Sequence, residues 1–194
     1  MYFEKAKSNS KMLKTFYEEY LVPKYTRDDL MNFSILTKFI KSDNMKCVLA
    51  VDDNGVVLGG ICYTKMQKCD MVFIQYLAAK NDTVLLQTLT VTLLDELTNR
   101  CIISTDGVQE AIKKIGFHYI NTLFVKPSIS FDRDAKTCRF ALYDMVDIPK
   151  NELIDFMYEY YTKMAFIPKP EINESFMTNM DKISDLSAVI PCTC

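Results

Sequence analysis

One histidine, seven cysteines and eleven tyrosines carry most of the reactive chemistry this chain has to offer. His118 follows Gly116-Phe117 at the start of an apolar run, where a lone imidazole serves as a general base or as a half-buried structural group. A zinc site would need Cys or carboxylate ligands at short spacings, and no Cys-x-x-Cys pair occurs. The cysteines, at positions 47, 62, 69, 101, 138, 192 and 194, are odd in number. Several lie inside apolar stretches, where a thiol packs as a small hydrophobe. Cys192-Thr193-Cys194 could take a metal or oxidise, and otherwise reads as a loose tail. Ser104-Thr105-Asp106 lacks the glycines and the nearby histidine that a hydrolase nucleophile needs. Gly59-Gly60 marks a bulge or a close backbone approach. Phe156, Met157, Tyr158, Tyr160 and Tyr161 form an aromatic face that suits docking, a dimer contact or core packing.

The surrounding composition narrows the classes. A net charge of −2 leaves no global basic field for nucleic acid or an anionic membrane. With 49% apolar and 25% charged residues the chain reads as an ordinary globular protein. It has no apolar stretch of the length a membrane span needs, about 18 residues. The first residues lack an apolar leader core, so a cytoplasmic location is expected.

Periodicity and turn chemistry supply the elements that must position these groups. Ser10 caps a helix whose Leu13, Phe16, Tyr17, Tyr20 and Leu21 share one face, and Pro23 ends it. A second helix is expected from Thr26 or Asp28 to Ile40. Residues 46–51 read as a strand, Asp52-Asp53-Asn54-Gly55 as a hairpin turn and residues 56–66 as the returning strand. Residues 69–79, apolar at nearly every position, make a third strand buried on both faces. Asn81-Asp82-Thr83 caps a helix over 84–97, and residues 101–104 form a strand parallel to the third. Thr105-Asp106 caps a helix over 108–115, which Gly116 stops. Residues 117–125 and 137–146 form a last antiparallel pair around a polar excursion, 127–136. Asn151 caps a final helix over 152–164, and from Pro168 an irregular tail follows. The chain thus divides into a domain over residues 1–150 and a C-terminal helix and irregular tail over 151–194.

This order of elements resembles the GNAT-type N-acetyltransferases over residues 10–146. Two stretches carry the likeness. Val72-Phe73-Ile74-Gln75-Tyr76-Leu77-Ala78 is similar to the family's central strand, and Ala111-Ile112-Lys113-Lys114-Ile115-Gly116-Phe117 to its helix-to-strand passage. The resemblance implies an α/β (α+β) fold, with a mixed, mostly antiparallel twisted sheet flanked by helices and an extra C-terminal helix and tail. It also implies transfer of an acetyl or longer acyl group from acetyl-CoA, or another acyl-CoA, to an amine on a small molecule or a protein, without a metal.

On that reading the third and fourth strands splay and expose a backbone N–H near Tyr76, Leu77 and Ala78 to polarise the thioester carbonyl. Lys80 and the free amides after Thr83 would hold the pyrophosphate. Asp70, Glu18 or Glu19 would act as base, with Asp70 preferred, Tyr119 as acid and His118 as a further base; each also reads as an ordinary surface or core residue. Two features depart from the family. The loop from Lys80 to Thr83 has no glycine and sets Asp82 where phosphates dock, and Ile112 or a neighbour stands where many members carry a leaving-group tyrosine. The alternative is a GNAT-like scaffold that binds a protein or another ligand, as a homodimer or with a partner through the aromatic helix, or an enzyme with a different donor.

Overall fold

The structure, a computed structural model, describes residues 1–80, 83–97, 100–105, 108–126, 136–145, 147–163 and 169–193. Asn81, Asp82, Asp106 and residues 127–135, expected as caps and as a polar excursion, lie outside these. A short strand with no alternating signal, β1 (Tyr2–Lys5), comes first and lies antiparallel along residues 48–51. Side-chain caps then set the helices. Ser10 Oγ accepts the Leu13 N–H at 3.2 Å and starts α1 (Lys11–Phe16), which continues as one π-helical turn, Tyr17–Leu21.

The second helix begins later than expected. Its cap is Asn32, whose Oδ1 accepts the Ile35 N–H at 3.0 Å, and α2 spans Phe33–Lys41. Tertiary hydrogen bonds claim the backbone ahead of it. Tyr76 Oη accepts the Met31 N–H at 2.9 Å and donates to the Asp29 carbonyl at 3.1 Å, while Tyr17 Oη donates to the Met31 carbonyl at 2.9 Å. A helix cannot use the same groups.

The expected hairpin is present. Asp52 Oδ1 accepts the N–H groups of Asn54 at 2.9 Å and Val56 at 2.8 Å, and Gly55 takes φ +81°, a region L side chains avoid. This turn joins β2 (Lys46–Val51) to β3 (Val57–Lys65), which pairs in turn with β4 (Met71–Ala79). After α3 (Thr83–Leu97), β5 (Arg100–Ser104) lies parallel to β4, as the short apolar run implies. Gly116, at φ +98°, stops the turn after α4 (Gln109–Lys114).

The two long strands expected next are each broken. β6 (Phe117–Ile120) and β7 (Phe124–Lys126) part at residues 121–123, and β8 (Lys136–Cys138) and β9 (Phe140–Tyr143) part at Arg139. β6 and β9 stay in the main sheet, while β7 and β8 form a separate ribbon. β10 (Asp147–Pro149) leads into α5 (Lys150–Lys163), with Asn151 in its first turn rather than at its cap.

The irregular tail expected after Pro168 is instead α6 (Lys169–Ser184) and β11 (Val189–Thr193). The buried stripe of α6 is Ser175, Asn179 and Ile183, four residues apart, and two of the three are polar, so hydropathy hides the helix. Asn179 secures it: Oδ1 accepts the Val125 N–H at 2.7 Å, and Nδ2 donates to the Val125 carbonyl at 2.7 Å and to Tyr161 Oη at 2.8 Å. β11 then pairs with β10 and β6, so residues on both sides of position 150 share one sheet. Cys192 sits there opposite Ile120, not in a loose tail, and burial pushes its thiol up to about 11. Cys194 lies outside the described residues.

Among the described residues the main sheet has nine strands, in the order β1-β2-β3-β4-β5-β9-β6-β11-β10, all antiparallel pairs except β4-β5. This is the mixed, mostly antiparallel sheet that the resemblance implies. Most of the aromatic face of α5 is core. Phe156, Tyr160 and Tyr161 are buried, and Phe73 packs against the Tyr160 ring at 5.3 Å and Phe140 against Phe156 at 5.2 Å. Tyr158 faces outward, 44% exposed, with Lys68 Nζ 3.5 Å above its ring. No helix among the described residues is long and apolar enough to cross a membrane.

Candidate active site

β4 and β5 run together only from Met71 opposite Arg100 to Ile74 opposite Ile103. β5, which carries β9 on its other edge, ends one residue later at Ser104, while β4 keeps β3 as its neighbour as far as Ala79. The divergence starts at a β-bulge. Tyr63 lies opposite Ile74 and Cys62 opposite Tyr76, which leaves Gln75 with no counterpart. An extra residue bends the strand and increases its twist. Past Gln75, no strand among the described residues pairs with the β4 edge that faced β5.

The peptide groups of Leu77 lie on that edge. A single hydroxyl meets both: the Leu77 N–H donates to Tyr25 Oη at 2.9 Å, and Tyr25 Oη donates to the Leu77 carbonyl at 3.2 Å. Tyr25 arrives on the turn after Pro23, its N–H bonded to the Leu21 carbonyl at 2.9 Å, and its ring packs edge-on against Tyr76 at 5.1 Å. Gly59 allows the close approach on the opposite edge, since a Cβ there would meet the Ala78 oxygen at 2.7 Å.

Beyond Ala79 the edge opens into a cleft of about 410 Å³ lined by Glu19, Tyr20, Pro23, Lys24, Ala79 and Lys80. Two ammonium groups face one carboxylate there, and α3 begins three residues past Lys80, at Thr83. Burial pushes the Lys24 ammonium below its ordinary pKa. It also pushes the Tyr20 phenol up, with the Glu19 charge adding to the effect. A basic mouth leading to an open strand edge suits an elongated anionic ligand that carries amide-like groups.

No family model matches this sequence, and no curated protein does either. Solved structures do. A Bacteroides thetaiotaomicron protein described as an acetyltransferase of the GNAT family aligns with a TM-score of 0.60 at 14% identity, over 75% of this chain and 88% of that one. The aminoglycoside 6'-N-acetyltransferase of Enterococcus faecium aligns at 0.53 and 12% identity, over 74% and 96%. A GNAT superfamily phosphinothricin acetyltransferase of Sinorhizobium meliloti, solved with AcCoA, aligns at 0.50 and 14% identity, over 73% and 86%. The chain has the GNAT fold.

Within that fold the expected residues separate into two groups. Tyr76, Leu77, Ala78, Lys80 and Thr83 come together on the end of β4 and the start of α3. Asp70 does not join them. It lies in the turn before β4, seven residues from Leu77, or roughly 20 Å along an extended strand. Tyr119 and His118 belong to β6, three strands from β4 and so roughly 14 Å away across the sheet. Tyr119 pairs with Ala141 and Thr193; burial raises its pKa, against the pull of the Arg139 charge. His118 sits half-buried opposite Leu142. Glu18 is an exposed partner of Lys14 at 3.7 Å, and Glu19 lines the cleft mouth. Ile112, which with its neighbours was expected to stand where many GNAT members carry a tyrosine, is fully buried core.

The residue that sequence reasoning missed is Tyr25. Its only local mark is a tyrosine two residues after the helix-ending Pro23, and nothing in that spacing points to a strand fifty-two residues on.

Proposed function

We propose that this chain is an acyltransferase that moves an acyl group from an acyl-CoA to an amine. The observation that carries the reading is the Leu77 peptide on the β4 edge that Tyr25 caps, beside the bulge and two residues before Ala79, which lines a cleft with Lys24 and Lys80. The Leu77 N–H would receive the thioester oxygen, where a fixed donor in a water-poor site stabilises developing charge. Lys24 and Lys80 would meet phosphates. The bound thioester supplies the activated acyl carbon.

In the transfer, the amine nitrogen bonds the acyl carbon, the carbon–sulfur bond breaks and an amine proton ends on sulfur. Tyr25 Oη, within hydrogen-bond reach of Leu77, supports a role in carrying that proton. It must first leave the Leu77 N–H, so binding begins with displacement of this hydroxyl. The fold relatives named for aminoglycoside and phosphinothricin acetylation favour an amine on a small molecule as acceptor.

Thermal unfolding with acetyl-CoA, and with CoA as control, tests the reading. A ligand at a hundredfold excess over its Kd stabilises the native state by about 2.7 kcal/mol. Stabilisation by acetyl-CoA, followed by thiol release with an added amine, is the expected result. No shift at millimolar acetyl-CoA would end the reading.

A further inference from the structure

We propose that the cavity over the Gln75 bulge is an acceptor pocket for an amine with an apolar body and a carboxylate, that is, a hydrophobic amino acid. The word acceptor rests on the acyltransferase reading; the binding itself does not.

The cavity, of about 250 Å³, is walled by Met31, Met45, Met66, Phe73 and Tyr160, with Gln75 among the polar residues that complete its lining. Phe73 pairs with Thr64 and Tyr76 with Cys62, so Phe73 and Tyr76 share a sheet face, and the surplus residue between them lines the cavity on that face. Gln75 is two residues from Leu77, or roughly 7 Å along the strand, so a ligand here reaches the open β4 edge. Drug-sized ligands occupy about 300–1,000 Å³, so this space suits the body of one apolar side chain. Three methionines in the wall let it adapt to its shape.

The charge around the cavity selects the rest of the ligand. Asn44, Met45, Thr64, Met66 and Lys163 are shared with an adjoining groove of about 610 Å³. That groove presents Lys46, Lys65, Lys68 and Lys163 against Asp43 and Asp70, and Asp43 stands 3.9 Å from Lys46. The nearby buried carboxylate, Glu159, is taken up by the Gln67 and Lys68 N–H groups and by Lys163. Lys163 Nζ spends two donors, on Glu159 at 2.6 Å and on the Lys65 carbonyl at 2.7 Å, which leaves a third for the cavity it lines. A positive rim repels a polycation such as a polyamine and attracts an acid.

The test uses the full chain without any CoA, titrated calorimetrically with N-acetyl-L-phenylalanine, its uncharged amide and spermidine. The acid should bind, the amide at least tenfold more weakly and spermidine not at all. Thr162→Trp, at an exposed α5 position that lines the cavity, should cost the acid at least tenfold in affinity while leaving the melting curve in place. Lys65→Gln with Lys68→Gln should narrow the preference for acid over amide. Equal binding of acid and amide, binding of spermidine, absence of acid binding or indifference to Thr162→Trp would each overturn the pocket. Acid binding without any effect of acetyl-CoA would keep the pocket and sink the acyltransferase; the reverse result would do the opposite.

Discussion

The phenol of Tyr25 accepts the N–H of Leu77 at 2.9 Å and donates to its carbonyl at 3.2 Å, standing in for the peptide of a missing neighbour strand. Tyr25 is 8% exposed and Leu77 fully buried, so water is a poor substitute. Tyr25→Phe leaves both Leu77 groups unmet, at a cost of about 1–3 kcal/mol. Differential scanning calorimetry should show a lower melting temperature. Acetyl-CoA affinity should hold or tighten, because the hydroxyl has to leave Leu77 in any case. Turnover with an amine should fall roughly a hundredfold.

Gly59→Ala tests the close packing on the other edge of β4. The new Cβ would meet the Ala78 oxygen at 2.7 Å and the Ala79 Cβ at 2.8 Å, neither of which can swing aside. A loss of about 1–3 kcal/mol is expected, read by urea denaturation. A variant as stable as the parent would mean that the β3-β4 pair yields more easily than its geometry indicates.

Glu159 makes stability depend on acid. Burial alone would raise its pKa, but the Lys163 hydrogen bond, the Lys68 and Gln67 N–H groups and the Lys163 charge outweigh this and leave it lowered. The carboxylate binds protons more readily unfolded than folded, so its contribution is complete above the unfolded value, about 4.3, and is lost as pH falls through the lower folded value. Glu159→Gln should therefore destabilise at pH 7 by about 1–3 kcal/mol and flatten the decline on acidification, measured as melting temperature against pH.

Elements written in local chemistry were legible from sequence. Asp52 and Gly55 announce the hairpin, Ser10 the first helix and Gly116 the end of α4, because each side chain or φ angle acts on its own backbone. The rest depends on remote partners. β1 and β11 are strands because β2, β6 and β10 offer an edge, and α6 hides behind a polar buried stripe. Tyr25 could not be linked to Leu77 by any spacing rule. Asp70, Tyr119 and His118 lie away from Leu77, since residue type says nothing about which strand lies next to which.

Asn179→Ala probes that hidden helix. Removing the amide strands the Val125 N–H and deprives Tyr161 Oη of one partner. The expected cost is about 2 kcal/mol. Hydrogen exchange should show α6 and β7 losing protection together, while β2 and β3 keep theirs.

Gln75 is one residue more than β3 can match. Deleting it would keep Tyr63 opposite Ile74 and Cys62 opposite Tyr76, so no side chain would change face and the ladder would run unbroken. Such a chain would be the tidier protein. Its β4 would straighten towards β5, the Leu77 peptide would lose its opening, and the methionine-walled space would lose its amide floor. A single in-frame codon separates an open sheet from a sealed one.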